Sequence, residues 1–186
     1  NKYQLPDRFI LFVGSIEPWK RVPMLINSYL QFKKETKLDV HLVIVGRDGW
    51  NVPHLKHVNK LIRKEKSIHH LGYVDRIELP GLYCMADLFC TPSLWEGFGL
   101  VFMEAISQKT PILACDHSAI PEVVQEAGLL FNPFDEKDLT LKMKKMFTDS
   151  SLCQSLISNG EKILPKYSKH LYGKEVFNLY QSLGYA

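Results

Sequence analysis

No stretch of this sequence stays apolar for long. Its longest unbroken aliphatic and aromatic runs, Phe9 to Val13 and Leu42 to Val45, fall far short of the roughly 20 residues a membrane-spanning helix needs. No signal-peptide pattern opens the chain, and no repeat, low-complexity tract or clear linker interrupts it. Cysteine is sparse and unpatterned: Cys84, Cys90, Cys115 and Cys153 show no C-x-x-C spacing, which argues against a zinc site and a disulfide scaffold. Cys84, Cys90 and Cys115 lie in apolar segments and are expected to be small core residues in a reducing compartment. A net charge of +3 is too small to argue for a nucleic-acid partner. Also missing are a P-loop and a complete G-x-G-x-x-G fingerprint, of which Gly97-Phe98-Gly99 supplies only the first half, so an ordinary dinucleotide site is disfavoured.

What is present describes a globular chain of single-domain size: 186 residues, 46% hydrophobic and 23% charged, enough to bury a real core. Lacking an initiator Met and starting its first strand almost at once, the chain is expected to be one domain of a longer protein. Phe9 to Val13, a continuous apolar run, and Val40 to Val45, which repeats the pattern with His41 inside it, each end at a glycine, Gly14 and Gly46, and read as strands buried on both faces of a parallel sheet. Further strands are expected at Ile68 to Leu71, Asp87 to Cys90, Pro111 to Cys115 and Gly128 to Phe131. Helical patterns separate them: one opened by Pro23, one over about Val52 to Glu65, one over Leu79 to Met85, one after Gly99, and one begun by Pro121 with Ser118 as its cap. From about Asp135 onward the pattern is all helical. Strands alternating with helices predict a doubly wound, Rossmann-like parallel sheet with helices on both faces. Between His54 and His70, Lys56, Lys60, Arg63, Lys64 and Lys66 face one acid, Glu65, and this basic run reads as a solvated helix face.

In doubly wound sheets, ligands sit at the carboxyl ends of the strands. That rule gathers the loops 14–20, 46–50, 72–75, 93–104 and 116–122 at one edge. The stretch from Ser93 to Ala105 is the centre of interest. It reads as strand, glycine-containing loop and helix start, where free N–H groups and the helix dipole favour a phosphate. Glu96 and Glu104 bracket the glycines. Carboxylates repel phosphate but accept bonds from hydroxyls, so a ligand with hydroxyls on both sides of its phosphates suits the spacing. Glu104 would lie about 7.5 Å along the helix from Gly99, within reach of a ribose. Lys20 could swing over the strand ends and balance phosphate charge. Trp95 and Phe98 either close over a sugar ring or pack. His41, His69 and His70 have no partner visible in the sequence and are read as structural or exposed.

The ordered motifs Phe12-Val-Gly-Ser-Ile-Glu-Pro-Trp-Lys20, Leu42-Val-Ile-Val-Gly46, Leu71-Gly-Tyr-Val74, Pro92-Ser-Leu-Trp-Glu-Gly-Phe-Gly-Leu100, Glu104-Ala105 and Pro121-Glu-Val123 resemble the C-terminal, donor-binding domain of family 4 retaining glycosyltransferases of the GT-B fold, with a mannosyltransferase flavour. The resemblance covers about residues 9 to 145. It implies that residues 1–186 form one donor-binding domain with a helical region from about 135 to 186, the acceptor domain lying outside this chain. It implies a nucleotide-diphosphate sugar as substrate, with no cofactor and no obligatory metal. Lys20 would contact the diphosphate and Glu96 the hydroxyls of the transferred sugar, these two being the implied catalytic groups. Glu104 would hold the ribose, the backbone of Phe98, Gly99 and Leu100 the sugar and phosphates, and Val74 would lie near the base. Gly14, Ser15 and Gly97 complete the implied donor site. Ser15 stands where many relatives carry an Arg, leaving Lys20 with less help. The implied partners are a nucleotide-sugar and a sugar, glycan or lipid-linked acceptor, without nucleic acid. A cytoplasmic location is expected, with peripheral association at the membrane face left open. A GT-B epimerase or phosphorylase and a non-catalytic nucleotide-sugar-binding module are the alternatives.

Overall fold

The computed structural model describes residues 2–184, the Val52 side chain apart. Residues 1, 185 and 186, included in the expected domain, lie outside the described residues. Six strands form one sheet: β1 (Phe9–Val13), β2 (His41–Val45), β3 (Ile68–Gly72), β4 (Leu88–Thr91), β5 (Ile112–Cys115) and β6 (Gly128–Phe131). Their order is β3-β2-β1-β4-β5-β6 and every neighbouring pair is parallel, the doubly wound sheet expected from the apolar runs. The winding reverses between β1 and β4, which pair through Ile10 with Leu88 and Leu11 with Phe89.

The helices are α1 (Val22–Thr36), α2 (Val52–Arg63), α3 (Leu79–Met85), α4 (Leu100–Ser107), α5 (Ile120–Val124), α6 (Glu136–Thr148), α7 (Ser150–Ile163) and α8 (Lys169–Ser182). α1 packs against α2 and α6, whereas α4 packs against α3 and α7. Right-handed crossovers put these two groups on opposite faces of the sheet. Both faces are therefore covered, and Phe9, Ile10, Leu11 and Phe12 are fully buried. Burial of one such side chain contributes about 1.5–3 kcal/mol. Among the described residues no helix is long and apolar enough to cross a membrane.

Several boundaries shift for identifiable reasons. β2 begins at His41 rather than Val40, and the Val40 carbonyl accepts the buried Tyr29 hydroxyl at 2.8 Å. β4 begins at Leu88, and the Asp87 carboxylate accepts the Phe9 N–H at 2.9 Å. Within the helical region expected from about Asp135, α7 starts at Ser150 because Asp149 caps it, its carboxylate accepting the Leu152 N–H at 2.9 Å. Ser118 does not cap α5. It takes the left-handed conformation at φ +58°, α5 follows Ala119, and no side chain caps it. Cys90 and Cys115 are buried as expected, and burial pushes the Cys115 thiol up to about 12. Cys84 is exposed, contrary to expectation: the short helix α3 buries Leu82 and Tyr83 and turns the thiol outward.

Candidate functional site

β1 and β2 continue to pair past their ends, Gly14 donating to the Val45 carbonyl at 2.8 Å and Ile16 to that of Arg47 at 3.0 Å. This close approach requires a glycine at Gly46, where a Cβ would sit 1.9 Å from the Gly14 carbonyl oxygen. The chain then makes a 3-10 turn, Pro18–Lys20, whose carbonyl at Pro18 accepts the Arg21 N–H at 3.1 Å. Arg21 is left-handed at φ +51° and starts α1. Sequence reasoning passed over what fixes this turn. Glu17 is only 6% exposed, its Oε1 accepts the Trp50 N–H at 3.3 Å, and its Oε2 has no partner. The Arg21 guanidinium donates to the Pro133 carbonyl.

The Lys20 side chain runs beside Gly14, its Cε 3.7 Å from where a Cβ on Gly14 would lie. Its Nζ donates to Glu96 Oε1 at 2.5 Å, with the two side chains 15% and 13% exposed. This ion pair crosses the switch point and joins the β1 loop to the β4 loop. A backbone bond beside it, Leu94 N–H to Trp19 carbonyl at 2.9 Å, makes the same connection.

In the β4 loop, Thr91 and Ser93 are buried with their hydroxyl oxygens 2.9 Å apart. The β5 loop braces the outer part. Ser118 Oγ donates to the Glu96 carbonyl at 3.1 Å, and His117 Nδ1 lies 2.9 Å from the Leu94 carbonyl. Ser118, expected as a helix cap, thus holds Glu96 in place. Gly99 adopts φ +70° at the start of α4, where a Cβ would meet the buried Phe102 ring at 2.6 Å. Phe102 N–H already bonds the Gly99 carbonyl at 2.9 Å, which leaves the N–H groups of Leu100 and Val101 without a helical acceptor. Trp95 stands 63% exposed, edge-on to His117, and Phe98 is 42% exposed, edge-on to Tyr167.

Glu104 lies one turn further along α4. Its Oε2 accepts the Tyr83 hydroxyl at 3.0 Å. Burial, and then the Glu104 carboxylate, push the Tyr83 phenol far above its ordinary value, so it stays a donor. A cleft of about 240 Å³ opens beside them, lined by Arg76, Leu79, Pro80, Tyr83, Glu104 and Gln108 among others. Arg76 and Tyr83 were not singled out in the sequence; the proximity of Arg76 to the β3 end was the only signal. Val74 is buried and presents almost no surface of its own to a ligand. Ser15 follows Gly14 at the end of β1, and Gly97 has nothing within 4 Å of a would-be Cβ, leaving open space above it. A larger groove of about 620 Å³ lies between α1 and α6, lined from Asn27 to Glu35 on α1, away from the loops that carry Lys20 and Glu96. The histidines do find partners: His41 Nδ1 and His69 Nε2 lie 2.8 Å apart across β2 and β3, and His70 Nε2 is 3.0 Å from the Gly46 carbonyl.

A doubly wound sheet with a glycine-started helix and a lysine–glutamate pair across its switch point is an α/β domain that gathers a cation, carboxylates and helix-start N–H groups at one sheet edge. Comparison with known proteins gives the family. Residues 1–163 match the sequence pattern of "Glycosyl transferases group 1", and the chain belongs to that family. It is similar to the O-antigen chain mannosyltransferase B of Escherichia coli, 31% identical over 98% of this chain and 48% of that protein. A serotype-specific mannosyltransferase WbdA from the same organism is 29% identical over 90% of this chain and 21% of its own length. The chain therefore spans about half or less of these relatives. Among solved structures, Anabaena HepE in complex with UDP and glucose superposes with a TM-score of 0.83 at 21% identity, covering 95% of this chain and 49% of that one. Sucrose-phosphate synthase from Thermosynechococcus elongatus gives 0.83 at 23%, covering 98% and 47%. These likenesses establish the fold, that of one Rossmann-like domain of the GT-B architecture.

Proposed function

We propose that this domain binds a nucleotide-diphosphate sugar across the carboxyl edge of its sheet and serves as the donor half of a retaining glycosyltransferase, with a hexose, mannose favoured, as the transferred group. The observation that carries the reading is the Lys20–Glu96 pair at 2.5 Å, nearly buried and aimed across the switch point beside the start of α4. Names of the most similar curated relatives favour mannose.

In this reading the pair is the resting form of the site. Entry of a donor separates it: the Lys20 ammonium moves to the diphosphate, and Glu96 accepts hydrogen bonds from the sugar hydroxyls. The N–H groups of Leu100 and Val101 complete the phosphate cradle, the Glu104 carboxylate takes ribose hydroxyls, and Val74 lies near the base. Gly14 and Ser15 border the diphosphate, while Gly97 and Phe98 border the sugar. When the bond from sugar C1 to the phosphate oxygen breaks, its electron pair leaves with the diphosphate, and Lys20 with the helix start stabilises the growing charge. The acceptor hydroxyl oxygen attacks C1 from the face the diphosphate left, its proton passing to the departing phosphate oxygen, and attack on that face preserves the anomeric configuration. Positive charge comes from Lys20 and backbone dipoles, so no metal is required. The acceptor binds a domain outside this chain; residues 1–186 alone bind donor weakly and transfer little.

A thermal-shift panel of uridine-, guanosine- and adenosine-diphosphate sugars tests the reading, because a ligand that binds only the folded state raises Tm. One donor class should give a saturable shift that Glu104→Ala diminishes. No saturable shift with any donor, or binding indifferent to Glu104→Ala, would sink the reading, and strong transfer by this chain alone would contradict the two-domain part of it.

A further inference from the structure

One face of α2 carries positive charge alone, away from the loops that hold Lys20 and Glu96. Its stripe of Leu55, Val58, Leu61 and Ile62 packs on the core, and its opposite stripe carries Lys56, Lys60 and Arg63, continued by Lys64. All four cations are exposed. With Asn59 they line a shallow groove of about 360 Å³. Residues three, four and seven apart share one helix face, so these charges stand side by side and repel one another.

Some cations on other helices of this protein are paired with acids. On α6, Lys142 pairs with Asp138 at 2.9 Å, and Lys144 reaches Glu35 on α1 at 2.8 Å. α2 contains no acid, and among the described residues none of Lys56, Lys60, Arg63 and Lys64 has a carboxylate within ion-pair distance. The one acid nearby is turned away. Glu65 accepts the Ser67 N–H at 3.1 Å and hydroxyl at 2.8 Å and faces Lys33 at 3.9 Å, and these bonds hold its carboxyl below its ordinary range. The helix dipole favours Lys60 and Arg63 in the last turn. It explains neither Lys56, a turn earlier, nor the lack of any interspersed acid.

We propose that this face of α2 is a docking surface for an anionic lipid bilayer, recognised through its headgroup phosphates. The chemistry favours a bilayer over a nucleic acid. The groove presents cations along one straight helix and offers no aromatic ring on which a base could stack. A plane of phosphates needs no such reader. Each basic residue held at an anionic surface strengthens binding about fivefold. α2 runs alongside the strands it connects, so docking through its outer face lays the sheet along the bilayer and leaves the loops that carry Lys20 and Glu96 open parallel to the surface. The inference is independent of what those loops bind.

The test is co-sedimentation of the 186-residue chain with phosphatidylcholine vesicles, with and without phosphatidylglycerol, across a salt titration. The chain should bind the phosphatidylglycerol vesicles, release from them as salt rises, and ignore pure phosphatidylcholine. Lys56→Gln/Lys60→Gln should weaken binding about twenty-five-fold. Lys162→Gln/Lys166→Gln, an equal charge change at the end of α7 on the opposite face of the sheet, should leave it within about twofold, since those exposed cations stand away from the surface. Equal losses in the two double variants would mean that net charge alone is sensed and would overturn the surface. So would failure of the unaltered chain to bind, equal binding to neutral vesicles, or tighter binding to single-stranded RNA than to the vesicles. Should a variant lose its fold, salt release and lipid selectivity of the unaltered chain decide the question.

Discussion

Lys20 and Glu96 meet in one ion pair, but they reach it from loops held in different ways. The β1 loop is fixed from below. Its backbone extends the β1–β2 pairing, its turn rests on the buried Glu17, and Arg21 ties it to the β6 end. The β4 loop is rooted in the buried Thr91 and Ser93, and beyond them it is exposed at Trp95, Phe98 and Leu100 and braced sideways by Ser118 and His117. A rigid wall can carry a charge whose position matters to a leaving diphosphate. On the proposed function, the more exposed wall would supply backbone N–H groups and acceptors for hydroxyls, where small adjustments to a ligand cost less. The difference teaches that the two halves of the cleft should fail differently when altered.

The sharpest test of the rigid wall is Gly46→Ala. Its Cβ would collide with backbone at Gly14, which cannot yield, so we expect more than about 4 kcal/mol of destabilisation and loss of a cooperative melting transition. A melting curve close to that of the unaltered chain would show that the wall is soft after all. On the other wall, Gly99→Ala meets a side chain at φ +70° and should cost about 1–3 kcal/mol of stability while abolishing donor-induced shifts in Tm. Gly97→Ala, two residues away with open space around it, should change stability by less than about 0.5 kcal/mol in urea titration. If the two substitutions behave alike, the positive φ of Gly99 is not what shapes the loop.

Lys20→Ala separates charge from scaffold. Donor affinity measured by calorimetry should drop about tenfold to a hundredfold, or about 1.5–3 kcal/mol, the range for hydrogen bonds to charged groups. An unchanged affinity would remove Lys20 from the phosphate site. The smallest effects belong to the braces. Tyr83→Phe deletes one hydrogen bond to Glu104 and should weaken donor binding by about 1 kcal/mol. Ser118→Ala removes the hydroxyl under the Glu96 carbonyl and should cost less than that, read as a modest rise in donor Kd.

Apolar runs such as Phe-Ile-Leu-Phe-Val and His-Leu-Val-Ile-Val made the parallel sheet legible, because strands buried on both faces need continuous apolar sequence. The order of loops likewise placed Lys20, Glu96 and Gly99 at one edge. Residues that act through long-range contact were not legible. Glu17 looks like any loop acid until the β2 loop closes over it. Ser118 has the sequence position of a helix cap and only in three dimensions becomes a support for Glu96. Tyr83 belongs to a helix whose facing partner is twenty-one residues away. Cys84 misled because its neighbours are apolar, although in the short helix α3 it falls on the outward side.

By itself, the sequence determined what depends on local spacing: the strands, most helix starts, the glycines at the turns and the set of loops at the carboxyl edge. Hydrophobic periodicity and backbone sterics act over a few residues and can be read there. Tertiary structure alone decided which groups meet. It set Lys20 against Glu96, buried Glu17 and brought Lys33 to Glu65, because contacts between residues far apart in the chain follow from how the sheet is wound and packed.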